Sequence, residues 1–235
     1  MNDWLNRILY ELLPGKCILC LKNTDRLIDL CLDCELDLPR ITNPCWQCGL
    51  TIPQGQEICG SCLLHPPPFS HCFSAFAYTA PVDRLINQFK NHQKIIVGKV
   101  LAQVMCQEYM QRHLVLPDSW LPVPLHKNRL KSRGFNQALE IAEVLADTTH
   151  IPVESRIARR IKYTDDQKSL SAKQRARNIK NVFVIDQHLN GRSVGIVDDV
   201  VTTASTITEL SRLLLDNGAT DVQIVCLART QIDRL

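Results

Sequence analysis

Residues 193–206 read SVGIVDDVVTTAST, and this stretch decides both the fold and the question of function. The apolar run at 193–197 is typical of a buried strand, and the pattern at 205–216 predicts the helix that follows it. Between the two lie the acidic pair Asp198 and Asp199 and a series of small hydroxyl-bearing residues. Core packing does not require that order, so we expect the segment to serve a ligand.

Around this stretch, short apolar runs alternate with longer amphipathic segments. We expect strands at 71–79, 119–123, 182–185, 193–197 and 221–227, and helices at 82–90, 95–112, 136–146 and 205–216. Strands and helices that alternate at these lengths predict an α/β fold with a mostly parallel sheet covered on both faces. Ligands of such sheets bind outside the carboxyl ends of the strands. The acidic pair is expected to lie there, in the loop after the strand.

The residues after the acidic pair are suited to binding phosphate. Backbone N–H groups at a helix start form an anion site, and hydroxyl groups add donors. The segment that supplies them consists of Thr202, Thr203, Ala204, Ser205 and Thr206. Two carboxylates would repel phosphate unless they face sugar hydroxyls or Mg²⁺, so the pattern describes a phosphoribosyl group. The alternative is a capped helix preceded by acidic turn residues.

Eight of the eleven cysteines form four C-x-x-C pairs near the start of the chain, and the last two pairs repeat the first two after 28 residues. Disulfides rarely persist in the cytosol, whereas two C-x-x-C turns supply four sulfur ligands for a tetrahedral metal. The spacing predicts about two zinc ions per chain, held by Cys17, Cys20, Cys31, Cys34, Cys45, Cys48, Cys59 and Cys62. Sequential pairing and a crossed pairing of the first pair with the third both fit, and His65 is an alternative ligand. Redox or buried thiols are the alternative to metal binding, and Cys72, Cys106 and Cys226 are expected in the core.

Three prolines at 66–68 cannot continue a helix, and they predict a boundary between two domains. Residues 1–65 are expected to form an N-terminal helix and a double zinc-ribbon module, and residues 70–235 the α/β domain. The helix, over 1–13, has one apolar face that docks on its own protein or on a partner. It lacks the features of a secretory signal, and the chain has no apolar run long enough for a membrane span. We therefore expect the protein in the cytosol.

The charge of the chain is uneven. Its net charge is +3, but residues 126–180 carry 13 Lys and Arg against 6 acids, which gives +7. A local excess of this kind suggests an anionic partner, although it is also compatible with a solvated basic face. For single-stranded DNA the candidate residues are Arg133, Arg159, Arg160 and Arg175, with Phe135 and Tyr163 as stacking aromatics. The alternative is that the same cations face a pyrophosphate group.

Two resemblances connect these motifs. Residues 197–206 resemble the phosphoribosyl-pyrophosphate-binding loop of type I phosphoribosyltransferases, with Ala204 at the position usually held by glycine. Five features follow one another in an order that resembles the ComF family of competence proteins. They are the cysteine pairs, the proline-rich join, the run Pro122-Val123-Pro124, the run Arg133-Gly134-Phe135-Asn136-Gln137 and this loop. The resemblance implies a zinc-ribbon head on a phosphoribosyltransferase-like domain. It also implies a role in natural transformation, in which imported single-stranded DNA enters the cytosol.

For the site, the resemblance implies that phosphoribosyl pyrophosphate binds with Mg²⁺ at Asp198, Asp199 and residues 202–206. Lys127 would supply a cation to the pyrophosphate, and residues 163–178 correspond to the mobile loop of the enzymes. No residue stands out as a reader of an acceptor base, so catalytic activity is left open. The favoured interpretation is a cytosolic accessory protein of DNA uptake that binds single-stranded DNA and other competence proteins such as a DNA-translocating helicase. The alternatives are an active phosphoribosyltransferase with an unknown acceptor, and a zinc-stapled adaptor of protein contacts.

Overall fold

The computed structural model of the chain describes residues 15–162 and 181–231. The strands are β1 (Gly15–Lys16), β2 (Asn23–Thr24), β3 (His71–Ala77), β4 (Ser119–Pro122), β5 (Ala158–Arg160), β6 (Phe183–Ile185), β7 (Ser193–Val201) and β8 (Asp221–Arg229). The helices are α1 (Leu32–Leu36), α2 (Gly60–Leu64), α3 (Val82–Asn91), α4 (Ile95–Gln111), α5 (Lys127–Arg133), α6 (Gln137–Thr149) and α7 (Ser205–Asp216).

The centre of the fold is a parallel four-stranded sheet in the order β3-β8-β7-β4. Successive side chains of a strand point to opposite faces, and here both faces are apolar. Val197 and Val225 belong to a core with the side chains of α3, α4 and α6. Ile196 and Ile224 belong to a second core with α7 and the β5–β6 pair. The predicted α/β fold with a doubly covered parallel sheet is confirmed.

Trp120 of β4 shows how closely the layers pack. Its side chain is fully buried, and its indole N–H donates to Thr149 Oγ1 of α6 over 3.0 Å. The ring also lies against Gly195 of the neighbouring strand, where an added Cβ would come within 2.3 Å of it. Only glycine leaves room for the indole at this position, so β7 can approach β4 without distortion.

The helix predicted at 205–216 is confirmed without a shift, but the strand before it is longer than expected. β7 continues to Val201 because Asp198, Val200 and Val201 pair with the last residues of β8. The prediction that the acidic pair lies in a loop is therefore wrong: both acids belong to the end of a strand. The run at 182–185 forms β6, which pairs antiparallel with β5, outside the parallel sheet.

The cysteine-rich segment lies along the edge strand β3. The N–H of Ala77 donates to the carbonyl of Pro39 over 2.8 Å, and Arg40 and Phe76 form an antiparallel bridge. Leu30 of this segment is buried in the same core as Phe76. The division into residues 1–65 and 70–235 stays a prediction, and the two parts share one core in the residues described.

Several sequence predictions lie outside the described residues. They are the N-terminal helix over 1–13, the loop over 163–178, and the DNA-binding candidates Arg175 and Tyr163. Within the ranges that are described, no helix combines the length and the apolar character needed to cross a bilayer.

Candidate functional site

The eight paired cysteines form two separate groups of four. In each group the Sγ atoms lie within 4.8 Å of one another. The groups are cluster 1, with Cys17, Cys20, Cys31 and Cys34, and cluster 2, with Cys45, Cys48, Cys59 and Cys62. Pairing is therefore sequential rather than crossed, and His65 belongs to neither group. The three remaining cysteines, Cys72, Cys106 and Cys226, are buried as expected.

The two clusters are built by the same backbone turn. The N–H of Leu21 donates to the carbonyl of Cys17, and the N–H of Gly49 donates to that of Cys45, both over 2.9 Å. Leu21 and Gly49 are 28 residues apart and both have a left-handed backbone, with φ of 63° and 69°. The sequence repeat is thus a structural repeat. Glycine adopts this conformation freely, whereas Leu21 adopts it under strain.

The geometry of both clusters fits zinc. Four sulfurs bound at about 2.3 Å around a tetrahedral ion lie about 3.8 Å apart. The Sγ atoms of Cys20 and Cys31 are separated by 3.7 Å, and so are those of Cys48 and Cys59. Four sulfur ligands fill a tetrahedral shell and leave no position for water, so these sites suit a structural metal.

The acidity of the thiols supports the same assignment. Burial raises the pKa of Cys17, but backbone N–H donors outweigh it and lower the pKa to about 6. In cluster 2 the same opposition lowers the pKa of Cys59 to about 7. Burial and hydrogen bonds to the neighbouring cysteines raise the pKa of Cys34 and Cys62. Each cluster thus holds one thiol that is more acidic than usual and one that is less acidic, and a bound dication would favour the thiolate form of its ligands.

The second candidate site, here called the phosphate loop, is residues 202–206, the turn after β7 together with the first two residues of α7. Ala204 is the N-cap of α7, has a φ of 63°, and is followed by a helix start that no side chain caps. The hydroxyls of Thr203 and Ser205 lie 2.9 Å apart. A small cavity, open to solvent, is lined by Asp198, Val200, Val201, Thr202, Thr203, Ala204, Ser205, Thr206 and Ile207. A left-handed backbone at 204 is one that glycine adopts freely, which agrees with the glycine that the resemblance implies at this position.

The two acids before the loop point to opposite faces of the sheet because they are neighbours in a strand. Asp199 is 7% exposed and its Oδ1 accepts from Lys90 Nζ of α3 over 2.9 Å. Asp198 lies on the other face and lines the cavity. The structure therefore separates two residues that the sequence presents as one acidic pair.

The ionisation of Asp198 is shifted into the neutral range. Burial and the negative charge of Asp199 raise its pKa to about 7, against the opposing charges of Lys90 and Arg160. For Lys90, burial opposes the charge, but Asp199 and Asp198 outweigh it and raise the pKa. The cavity wall thus holds a carboxyl group that changes charge near neutral pH.

Lys90 is a residue of this site that the sequence analysis missed. It lies in the last turn of an amphipathic helix, where a lysine is ordinary. The pattern at 82–91 predicts the helix but contains no signal for the pairing. That pairing arises from the way in which α3 packs against the carboxyl end of β7.

The predicted basic residues are dispersed over several elements. Lys127 is exposed at the start of α5 and does not line the cavity. Arg133 ends the same helix and donates from Nη1 to Gln137 Oε1 over 3.0 Å. In β5, Arg159 forms an ion pair with Asp186, with 2.7 Å between Nε and Oδ2. None of these three cations is among the residues that line the cavity at the phosphate loop.

Aromatic contacts involve two of the predicted nucleic-acid residues. The guanidinium of Arg160 lies over the ring of Phe183, 5.7 Å from its centre. Phe135, expected to stack on bases, instead packs against Phe89 of α3, with 5.5 Å between the ring centres. Phe135 is partly buried in the core beside α3, which leaves less of its ring for a base.

Comparison with known proteins gives two family models and several relatives. Residues 8–63 match the model of the double zinc ribbon domain, and residues 130–235 match that of the phosphoribosyl transferase domain. The DNA utilization protein YhgH of Salmonella typhi is 39% identical over 172 residues, which cover 72% of this chain and 76% of the relative. Competence protein F of Haemophilus influenzae is 37% identical over 159 residues, which cover 65% of this chain and 69% of that protein.

Among solved structures, the purine phosphoribosyltransferase from Pyrococcus horikoshii is 19% identical and superposes with a TM-score of 0.36. The match covers 56% of this chain and 72% of that one.

Proposed function

We propose that this chain, which belongs to the ComF family of competence and DNA-utilization proteins, is an accessory protein of DNA uptake that binds single-stranded DNA and phosphoribosyl pyrophosphate. Its two cysteine clusters fit structural zinc. Clustered cysteines kept as metal ligands rather than disulfides favour a reducing compartment. For this reason we propose that the protein acts in the cytosol.

The observation that carries the ligand proposal is the phosphate loop itself. The start of α7 has no side-chain cap, so its backbone N–H groups are available to an anion. The loop reaches this position through the left-handed Ala204, a conformation that costs about 1–2 kcal/mol for a residue other than glycine. Strain retained at a loop that lines a cavity supports a functional reason for the conformation.

The two acids are given different roles. Asp198 lines the cavity beside the loop, so we assign it to the ribose hydroxyls or to the Mg²⁺ that accompanies pyrophosphate. Asp199 is engaged by Lys90 on the opposite face, so we assign it to positioning the end of β7. Phosphate in the loop and a carboxylate at one side together match a phosphoribosyl group.

For DNA, the support is the charge of residues 126–180 and the exposed position of some of its cations. Arg133 and Arg159 offer guanidinium groups that pair with phosphates and stack on bases. Arg159 is still 61% exposed despite its ion pair with Asp186. Such a surface binds single strands with little sequence preference and weakens steeply as salt rises.

A specific observation also favours protein contacts by the cysteine module. Leu36 at the end of α1 and Leu64 at the end of α2 are 73% and 76% exposed, at equivalent positions of the repeat. Exposed apolar side chains on a small rigid module suit a protein partner. Another competence protein, such as a DNA-translocating helicase, is the partner we propose for this face.

The test is calorimetric titration with phosphoribosyl pyrophosphate and Mg²⁺, using the parent and Asp198→Asn. We expect the parent to bind and the variant to lose at least about tenfold in affinity, since a charge-assisted hydrogen bond is worth about 1.5–3 kcal/mol. The matched control is Asp216→Asn, which changes an exposed carboxylate at the opposite end of α7 from the phosphate loop. Equal binding by all three proteins would refute the role of Asp198, and no binding by the parent would refute the pocket.

Two further measurements on the same protein separate the alternatives. Release of pyrophosphate with a candidate base would identify an active phosphoribosyltransferase. Binding of a labelled single strand that persists in excess phosphoribosyl pyrophosphate would indicate separate surfaces, whereas mutual displacement would indicate one shared pocket. No binding of single strands at low salt would remove the DNA part of the proposal.

A further inference from the structure

Arg229 connects cysteine cluster 2 to the phosphate loop. It is the last residue of β8 and is 3% exposed. Its Nε donates to the carbonyl of Cys48 over 2.9 Å. From Nη1 it donates to the carbonyl of Val201 over 3.0 Å and to that of Thr202. One guanidinium therefore contacts a residue of cysteine cluster 2 on one side, and the last residue of β7 and the first residue of the phosphate loop on the other.

The cluster lies directly against this arginine. Gly49, the residue after Cys48, is closely packed: an added Cβ would lie 3.3 Å from the carbonyl oxygen of Cys72, a tight contact, and 3.9 Å from Cγ of Arg229. The left-handed turn at Gly49 thus presents the carbonyl of Cys48 to the guanidinium. If this turn were displaced, the hydrogen bond between Arg229 and the carbonyl of Cys48 would be lost.

The charge of Arg229 needs compensation. In the part of the chain that the structure describes, its guanidinium donates to the carbonyl oxygens of Cys48, Val201, Thr202 and Thr230, and none of these partners is a carboxylate. A buried cation without a counter-charge is costly. Four thiolates around a divalent ion leave cluster 2 with a net negative charge, and this charge would lie beside the arginine. A phosphate group in the loop would supply a second negative charge near Arg229.

We propose that Arg229 is a positioning residue of the phosphate loop, and that the metal-loaded cluster 2 holds it in place. The inference rests on the proposed function, because it concerns ligand binding at the same loop. Lysine would not serve, since its single ammonium cannot reach carbonyls on two sides, whereas the planar guanidinium donates in several directions at once. Metal at cluster 2 and phosphate at the loop then favour one another.

Cluster 1 provides an internal reference. Its helix α1 is connected to α4 through a different arginine, Arg40, which pairs with Glu35 and Glu108. This connection leads to the helices that cover the other face of the sheet and not to the phosphate loop. We therefore expect phosphate binding at the loop to be coupled to the metal of cluster 2 and not to the metal of cluster 1.

The first experiment needs no ligand. Hydrogen exchange of the backbone amides at 201–206 is compared in the zinc-loaded parent, in Arg229→Lys and in the control Arg212→Lys, an exposed position of α7. We expect exchange in this segment to speed up about fivefold or more in Arg229→Lys alone, with the rest of the sheet unchanged. Unchanged exchange at 201–206 in a folded Arg229→Lys protein would overturn the proposal.

The second experiment tests the reciprocal effect that any coupling of two sites requires. A zinc-selective chelator is added with an alkylating reagent, and labelling of the cysteines of each cluster is followed by peptide mass spectrometry. We expect phosphoribosyl pyrophosphate with Mg²⁺ to slow labelling of cluster 2 about fivefold or more while cluster 1 is unaffected, and Arg229→Lys to abolish the difference. Equal protection of both clusters would contradict the link through Arg229. If the parent fails to bind the ligand, the proposed pocket is wrong, and the exchange experiment alone decides the role of Arg229.

Discussion

Lys90 of α3 and Asp199 of β7 form an ion pair with 2.9 Å between Nζ and Oδ1. The carboxylate is 10% exposed and the ammonium side chain 24% exposed, so most of their surface is removed from water. The pair fastens a helix on one face of the sheet to the strand end that leads into the phosphate loop. One contact therefore links the position of that helix to the position of the phosphate loop.

Replacing Lys90 by methionine should leave a buried carboxylate without its partner. We expect Lys90→Met to lower the free energy of unfolding by about 2–3 kcal/mol, measured by urea denaturation. The double variant Lys90→Met with Asp199→Asn should recover part of this loss, because the unpaired charge is gone. The control is Lys99→Met, whose pair with Glu140 spans 3.7 Å at the surface and should cost less than about 1 kcal/mol.

Asp198 should make stability depend on pH. Its pKa in the folded protein is about 7, above the ordinary value of 3.8, so the folded state binds the proton more tightly than the unfolded chain. This contribution is complete below about pH 4 and is lost as the pH rises through 7. Relative to Asp198→Asn, the parent should lose stability between pH 5.5 and 7, with a slope of at most about 1.4 kcal/mol per pH unit. If the difference in unfolding free energy between the parent and Asp198→Asn did not change with pH, the raised pKa would be excluded.

Ala204→Gly should relieve backbone strain at the phosphate loop. A left-handed alanine costs about 1–2 kcal/mol, of which the greater freedom of glycine in the unfolded chain cancels part. We expect a net gain of about 0.5–1 kcal/mol in unfolding free energy, together with tighter binding of phosphoribosyl pyrophosphate. Ala146→Gly in α6 is the opposite control and should cost about 1 kcal/mol. A loss of stability in Ala204→Gly would show that the alanine methyl packs usefully at the loop.

Metal analysis should find about two zinc ions per chain. Cys20→Ser and Cys48→Ser should each lower the zinc content by about one, because they lie in separate clusters. Cys106→Ala, which changes a buried thiol outside both clusters, should keep both ions. The assignment would be contradicted if the protein contained iron in place of zinc, or if a single substitution removed the ions of both clusters.

Much of the fold was accessible from sequence because its signals are periodic and local. The helix at 205–216, the parallel sheet and the four-cysteine sites follow from apolar spacing and from the repeat of 28 residues. The end of β7 was not accessible in the same way. Asp198 and Asp199 are polar and suggest a loop, but β8 offers nine residues of partner strand and the ladder continues past the acids.

The parts of the site that the sequence did not predict depend on contacts between distant segments. Lys90 and Asp199 are brought together by helix packing, and Arg229 reaches Cys48 only because the cysteine module lies along the edge of the sheet. Neither residue differs locally from an ordinary helix lysine or strand arginine. These residues acquire a role because they are buried, and the burial of a single polar residue cannot be predicted from the residues next to it in the sequence.

The position of the cysteine module along β3 has a consequence for any shortened version of this protein. β3 is at the margin of the parallel sheet, and its outer backbone groups bond to Pro39 and Trp46 and bridge to Arg40. Removal of the first 64 residues would leave this margin open, with free N–H and carbonyl groups that invite pairing with another chain. We therefore expect a chain shortened in this way to self-associate more than the full chain.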